Sequence, residues 1–181
     1  PLFSHFVYLA VIFFGSLVAA ISGFLVGLPS LRLRGDYLAV VTLGFGEIIR
    51  VVILNIDAMG AARGLPGIPS LNTFAWTYSF VLLSIFIISR LIKSAQGREL
   101  LSVREDEIAA EAMGVNTTRA KIFAFSVGAF FAGLAGGIFA HEMTFISPAS
   151  FDSQKSFEII IMVVLGGMGS ISGSVFTAVL L

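Results

Sequence analysis

Long apolar runs, separated by shorter polar connections, dominate this sequence. A helix needs roughly 20 consecutive apolar residues to cross the hydrocarbon core of a bilayer. Five runs meet or approach that length, at residues 2–28, 37–55, 74–92, 122–140 and 158–181. We therefore predict an all-α fold, a multi-pass transmembrane helical bundle with about five spans, in which residues 1–181 form a single transmembrane domain.

The composition favours a membrane protein over a soluble one. Hydrophobic residues make up 57% of the chain and charged residues 12%, and the mean hydropathy is +0.99. Soluble domains usually carry about 25% charged residues. The alternative, helices buried in a soluble core, leaves too little polar sequence to cover that core. The net charge is zero without a basic run, so no nucleic-acid partner is indicated.

The positive charges give the predicted spans a direction. The connections at 29–36 and 93–121 carry seven of the eleven Lys and Arg residues, including Arg32 and Arg34, whereas the connections at 56–73 and 141–157 carry one each. Loops rich in Lys and Arg stay on the cytoplasmic side. The first and third connections should therefore be cytoplasmic, and the second and fourth should face the other side. Five spans make this alternation self-consistent, whereas a missed or an extra span would break it.

The cytoplasmic connection at 93–121 is long enough to need its own structure. Its residues 104–113 read as a short amphipathic helix, with Ser102 as a candidate N-cap and Glu105 as its capping-box partner. Gly114 should end this helix, because glycine is favoured just after a helix C-cap.

The predicted short helix has a small apolar face. Either Asn116 or Thr117 should cap the helix that follows it. The helix is either a connector lying on the lipid surface or a docking element for a cytoplasmic partner. Small residues favour docking, because helices on lipid usually carry larger apolar side chains and more lysine. The face consists of Ile108, Ala109, Ala112 and Met113.

Glu47 and Arg50 are ionisable residues within an apolar run. Each costs about 2.5–3.5 kcal/mol at the centre of a membrane helix. Because they are three residues apart, they share a helix face and can pair. Glu47 lies 11 residues after Asp36, roughly 16 Å deeper along a helix. The pair either lines a polar route, where it could meet a zwitterion, or locks helices together.

Glycines interrupt the second and fifth runs. Gly44 and Gly46 lie in one, and Gly166, Gly167 and Gly169 in the other. The charge pattern orients these two runs in opposite directions. Such matching interruptions indicate either an inverted repeat with a pathway between its halves or close helix packing. Thr42 is counted among the candidate pathway residues, with the five glycines and the Glu47–Arg50 pair.

A second pair of glycines predicts packing alone. Gly133 and Gly137 lie four residues apart in the run at 122–140. Small residues at this spacing let two membrane helices approach closely. His5 and His141 fall near predicted interfaces without a second ligand at metal spacing, so we predict no metal site. No cysteine and no catalytic or phosphate-binding motif is present, so neither a cofactor nor an enzymatic activity is expected.

Four stretches carry a resemblance to a known family. The chain is similar to the permease subunits of branched-chain amino acid ABC transporters, which are bacterial binding-protein-dependent importers. The similar stretches occur in the family's order and are RLRGDYLAVVTLGFGEIIR at 32–50, GRELLSVREDEIAAEAMGVNTTRAKIFAFSVGAFFAGLAGGIFAH at 97–141, SPASF at 147–151 and EIIIMVVLGGMGSISGSVFTA at 158–178.

The resemblance implies a function and a set of partners. It implies a permease that is surrounded by membrane lipid and moves branched-chain amino acids across the bacterial plasma membrane by alternating access. It also implies separate ABC ATPase subunits, a second permease subunit and an extracytoplasmic substrate-binding protein. A coupling helix within 93–121 would contact the ATPase through Glu107, Ala109, Ala110, Glu111, Ala112, Met113 and Gly114.

Two alternatives to this function stay open. One is a urea or short-amide permease of the same architecture, and the other is a passive channel. A membrane-embedded enzyme would need a cluster of catalytic groups within the spans, where only Glu47 and Arg50 are present. The sequence begins without an initiator Met and stops inside an apolar run, so we expect it to be a piece of a longer permease.

Overall fold

The computed structural model describes residues 2–33, 36–57 and 60–181, and their regular structure is nearly all helical. Among these residues, four helices are long and apolar enough to cross a membrane, which confirms the multi-pass helical fold. They are the helices at Leu2–Ser30, Asp36–Leu54, Phe74–Ile92 and Thr117–Met143. Arg34, one of the charges used to orient the spans, lies outside the described residues. The elements in chain order are α1 (Leu2–Ser30), α2 (Asp36–Leu54), β1 (Leu65–Pro66), α3 (Phe74–Ile92), α4 (Ala95–Glu105), α5 (Glu107–Ala112), α6 (Thr117–Met143), β2 (Phe145–Ile146), α7 (Ser153–Leu165) and α8 (Ile171–Leu180).

The fifth predicted span is not one continuous helix. Its sequence forms α7 and α8, with a break at the predicted glycine interruption. Gly167 and Gly169 have φ angles of 88° and 96°, which side chains rarely adopt. Ser170 then caps α8 by accepting a hydrogen bond from Gly173 N at 3.2 Å. The glycines therefore end one helix and allow the next to start in a new direction.

The described residues form two compact units, and the single-domain assignment of 1–181 stays a prediction. The first unit comprises the described residues of 1–42 together with Ile68–Thr144. Its main contact is between α1 and α6. Tyr8, Ile12 and Ser16 follow one another at four-residue spacing on α1, and all three are buried. This stripe is the face of α1 that belongs to the core.

Small residues bring α1 and α6 close together. A Cβ added at Gly133 would lie 2.5 Å from Ala19 Cβ, and one added at Gly137 would lie 3.3 Å from Ile12 Cγ1. In a bilayer, helices associate largely through such van der Waals packing, since lipid tails are as apolar as the side chains. The packing role predicted for these two glycines is confirmed.

The connection at 93–121 contains two helices rather than one. Ser102, the predicted N-cap, lies inside α4, where its hydroxyl donates to the carbonyl of Glu99 at 2.8 Å. The predicted start of the short helix is therefore wrong. Asp106 is the true cap, because its carboxylate accepts from the amides of Ile108 and Ala109 at 2.9 and 3.0 Å. A carboxylate at this position satisfies two free amides and also complements the helix dipole.

The second unit comprises Leu43–Gly67 and Phe145–Leu181. Here β1 and β2 pair antiparallel, with Leu65 opposite Ile146 and Pro66 opposite Phe145. Gly64, which precedes β1, has a φ of 75°, and an added Cβ would lie 2.6 Å from the carbonyl oxygen of Ile146. The small ladder thus joins the second and fourth connections, which the charge pattern places on the same side of the membrane.

Candidate functional site

The short helix α5 presents its predicted apolar face to the outside. Ile108 is 70% exposed and Met113 is 84% exposed, and Ala109 and Ala112 are exposed beside them. Ala110, which the resemblance places among the ATPase contacts, is only 4% exposed. Ala110 therefore supports the helix from its buried side, whereas the other four residues are available to a partner.

Both ends of α5 are fixed by local chemistry. Asp106 caps the start, and Gly114 has a φ of 87° directly after the C-cap residue Met113. The prediction that Gly114 ends this helix is confirmed. Asn116 then caps α6 by accepting from the amide of Arg119 at 2.9 Å, so the first of the two predicted caps is the correct one. The result is a six-residue helix capped at its start and ended by a glycine turn.

Two side-chain contacts tie α5 to the first turns of α6. The Nζ of Lys121 lies 2.7 Å from Oε1 of Glu107, with the two side chains 19% and 25% exposed. The hydroxyl of Thr117 donates to Oε1 of Glu111 at 3.2 Å, and Thr117 is buried. Two residues named as candidate ATPase contacts, Glu107 and Glu111, thus bind α6 of the same chain.

A cleft of about 490 Å³ lies beside α5, between α4 and the start of α6. Its lining includes the charged Glu99 and Arg119, the apolar Leu100 and Phe123, and Met113. The turn that follows α5 therefore borders open space on one side.

The second group of candidate residues lies on α2. Arg50 binds Glu47 through two groups, with Nε at 3.1 Å from both carboxylate oxygens and Nη2 at 2.5 Å from Oε1. This confirms the predicted pairing. Asp152, the N-cap of α7, lies within electrostatic range of both charges. The second unit thus holds two carboxylates near one guanidinium.

The remaining α2 residues differ in their surroundings. The hydroxyl of Thr42 donates to the carbonyl of Leu38 at 2.9 Å, so its hydrogen-bonding capacity is used within the helix. Around Gly44 and Gly46, no heavy atom in the described residues lies within 4 Å of an added Cβ. Within the described part of the chain, close helix packing therefore does not account for these two glycines.

Gly166 behaves differently from the α2 glycines. A Cβ added there would lie 2.6 Å from backbone atoms of Gly173 and Ser174. Gly166 is thus a close-packing position between α7 and α8, and Gly167 and Gly169 form the turn. The structure supports packing at the first of these three candidate pathway residues, and the pathway role of all three stays a prediction.

Near the start of α7, the charges lie outside the apolar part of the segment. The Nζ of Lys155 donates to the Oε2 of Glu158 at 2.7 Å. This hydrogen bond, together with the negative charge of Glu158, raises the pKa of the Lys155 amine above its ordinary value. The fifth apolar segment thus begins next to an exposed ion pair near the start of α7.

A polar cluster at one end of the first unit was not predicted from the sequence. Tyr8 donates to Oδ1 of Asn72 at 2.9 Å, and the Asn72 amide donates to Glu142 and Thr77 at 2.8 and 2.9 Å. His141 donates from Nδ1 to the carbonyl of Pro69 at 2.8 Å. The feature of the sequence that could have indicated this cluster is the presence of polar residues at the ends of three apolar runs. The cluster fixes the loop before α3 to α1 and α6.

Clustered metal ligands are absent from the described part of the chain. Across residues 2–33, 36–57 and 60–181, no group of three His, Asp or Glu side chains could hold a metal ion.

Comparison with known proteins gives a consistent family. The family described as "Branched-chain amino acid transport system / permease component" matches residues 2–181. The chain is 40% identical to the high-affinity branched-chain amino acid transport system permease protein LivM of Salmonella typhimurium, over 91% of this chain and 47% of that protein. The same values hold for LivM of Escherichia coli.

A relative with another named cargo is also similar. The chain is 30% identical to the autoinducer 2 import system permease protein LsrC of Yersinia pestis, over 93% of this chain and 51% of that protein. The chain spans about half the length of the curated relatives it matches. No solved structure shows significant similarity to it.

Proposed function

Since the chain belongs to the family of branched-chain amino acid transport permease components, we propose that it forms part of the membrane subunit of an ATP-driven importer. The subunit passes branched-chain amino acids across the bacterial inner membrane by alternating access. It performs no chemistry of its own, and ATP hydrolysis takes place on separate ATPase subunits.

The observation that carries this proposal is the exposed face of α5. Four residues with apolar side chains stand outward on a helix fixed at both ends. The positive-inside rule assigns this helix to the cytoplasmic side. A short helix of small residues fits a groove of a partner protein better than a lipid surface. In this proposal the ATPase grips Ile108, Ala109, Ala112, Met113 and Gly114.

The pathway part of the proposal centres on the Glu47–Arg50 pair. An amino acid zwitterion carries one charge of each sign, and the pair offers the matching two charges 2.5 Å apart. Part of the pair stays accessible, with the side chains 45% and 27% exposed. The α2 side of the route also includes Thr42, Gly44 and Gly46. The opposite side of the route is the break between α7 and α8, at Gly166, Gly167 and Gly169.

Three further partners belong to the proposal. A second permease subunit covers the apolar surfaces that α2 leaves exposed, and membrane lipid covers the rest. An extracytoplasmic binding protein delivers the solute to the side that carries the β1–β2 ladder. These assignments rest on the family, whose importers take their solutes from binding proteins.

Uptake by a reconstituted assembly tests the proposal. The full-length parent of this chain is placed in vesicles with its partner permease, ATPases and binding protein, and ATP-driven uptake of labelled leucine is measured. Replacing Ala109 with Arg and Ala112 with Glu should abolish uptake, whereas Ala95→Arg on the exposed start of α4 should not. Uptake that survives the first change and also continues without ATP identifies a passive channel instead.

The same vesicles decide the substrate class. Unlabelled isoleucine and valine should compete with leucine, whereas urea and short amides should not. Competition by urea or an amide alone would assign the chain to a permease of the same architecture with another solute. If no small solute is taken up at all, the importer proposal fails.

A further inference from the structure

The contacts between α5 and α6 have a regular geometry. Glu107 and Glu111 are four residues apart and share one face of α5, and Thr117 and Lys121 are four residues apart and share one face of α6. Residues at this spacing lie one above the other on a helix. Glu107 binds Lys121 and Glu111 binds Thr117. Two successive side-chain contacts therefore join the two helices, which run in opposite chain directions along this contact.

Three of these four residues lie away from the exposed face of α5, whereas Glu111 is exposed. Ile108 and Met113 point outward, whereas Glu107, Lys121 and Thr117 are largely shielded by the protein itself. A side-chain contact shielded from water is screened less than an exposed ion pair. The peptide link between the helices is short and contains Gly114 at a positive φ. The two side-chain contacts therefore join α5 to α6 directly, beside the peptide link.

α6 in turn is the helix that packs against α1 along its length. A displacement of α5 that reaches α6 therefore reaches the core of the first unit. We propose that the Glu107–Lys121 ion pair, supported by the Glu111–Thr117 hydrogen bond, is a brace that transmits movement of α5 into α6. These are positioning residues, and they act through the helix that the ATPase grips. The inference rests on the proposed function.

The test measures how many ATP molecules are hydrolysed for each solute imported. Glu107→Gln and Lys121→Met are made singly in the full-length protein of the vesicle assembly, beside the double exchange Glu107→Lys with Lys121→Glu. Coupling between two sites typically amounts to a factor of 5–150. Each single variant should raise the ATP-to-solute ratio by about that factor, and the exchange should restore it to within about threefold.

A matched control lies two residues away. Glu105 pairs with Arg104 at the exposed end of α4. Glu105→Gln removes an ion pair of the same type from the same connection, and its ratio should stay at the wild-type value. Co-purification of the ATPase with each variant separates transmission from docking, because the brace variants should still bind the ATPase.

Two results would overturn the brace. One is an unchanged ratio in both single variants, and the other is loss of ATPase co-purification, which would make the pair part of the docking surface. If the single variants do not reach the membrane, Thr117→Val is used instead, because it removes one hydrogen bond without exposing a charge. An unchanged ATP-to-solute ratio in Thr117→Val counts against the brace. A wild-type assembly that does not couple ATP hydrolysis to uptake refutes the proposed function first, and the brace falls with it.

Discussion

One added methyl group at Gly133 should weaken the packing of α1 against α6. The new Cβ would lie 2.5 Å from Ala19 Cβ and 3.0 Å from Ser16 Cα, atoms that cannot swing away as a long side chain would. Overpacking of this kind costs about 1–3 kcal/mol. Replacing glycine inside a helix also gains roughly 0.5–1 kcal/mol from reduced backbone entropy. The two terms oppose each other, so a single variant would be hard to interpret.

Gly136 on the same helix removes that ambiguity. In the described residues, no heavy atom lies within 4 Å of a Cβ added at Gly136, nor of one added at Gly128. The backbone gain is common to all three positions and cancels in the comparison. The free energy of unfolding of Gly133→Ala should therefore lie about 1–3 kcal/mol below that of Gly136→Ala.

Unfolding by SDS, followed by circular dichroism of the full-length protein in mixed micelles, measures this difference. Gly128→Ala serves as a second open position and should match Gly136→Ala. Agreement of all three variants within roughly 0.5 kcal/mol, the usual scatter of changes that touch nothing, would refute the close approach of α1 and α6 at Gly133.

Three more predictions concern the charged groups. Asp106→Ala should destabilise α5 by about 1 kcal/mol, seen as faster hydrogen exchange of its amides, and unchanged exchange would speak against the cap. Glu47→Gln removes the carboxylate that pairs with the Arg50 guanidinium. A charge left in a span costs up to about 2.5–3.5 kcal/mol of insertion free energy, so the yield of inserted protein should fall. The yield should recover when Arg50→Met is added. The Lys155–Glu158 pair raises the lysine pKa above 10.5, so its stabilisation is present below that pH and is lost as the pH rises through the folded-state pKa. In Glu158→Gln the Lys155 pKa, followed by NMR of labelled lysine, should move down, and an unmoved pKa would contradict the pairing.

Much of the fold could be predicted because the membrane imposes a simple length requirement. The four long helices, the ion pair on α2 and the packing of Gly133 follow from apolar length and from residue spacing alone. The end of α5 was predictable for a similar reason, since Gly114 is the residue with the freest backbone at that point.

The start of α5 shows where local rules compete. Ser102 with Glu105 satisfies the capping-box pattern, yet Asp106 takes the role four residues later. Both are good cap residues, and the sequence alone does not say which one ends the preceding helix. The polar cluster around Asn72 was missed for a different reason. Its members come from three distant parts of the chain, and only the fold brings them together.

The break after α7 has a consequence for what surrounds this part of the protein. Only seven residues, 159–165, separate the charge of Glu158 from Gly166, a rise of about 10 Å along a helix. With Glu158 at the edge of a hydrocarbon core about 30 Å thick, the turn at 166–170 would lie inside that core. Peptide groups that leave a helix at that depth tolerate no contact with lipid tails. A turn at that depth would have to face water, the rest of the protein or another polypeptide, so it would mark a place where the lipid boundary of the protein opens.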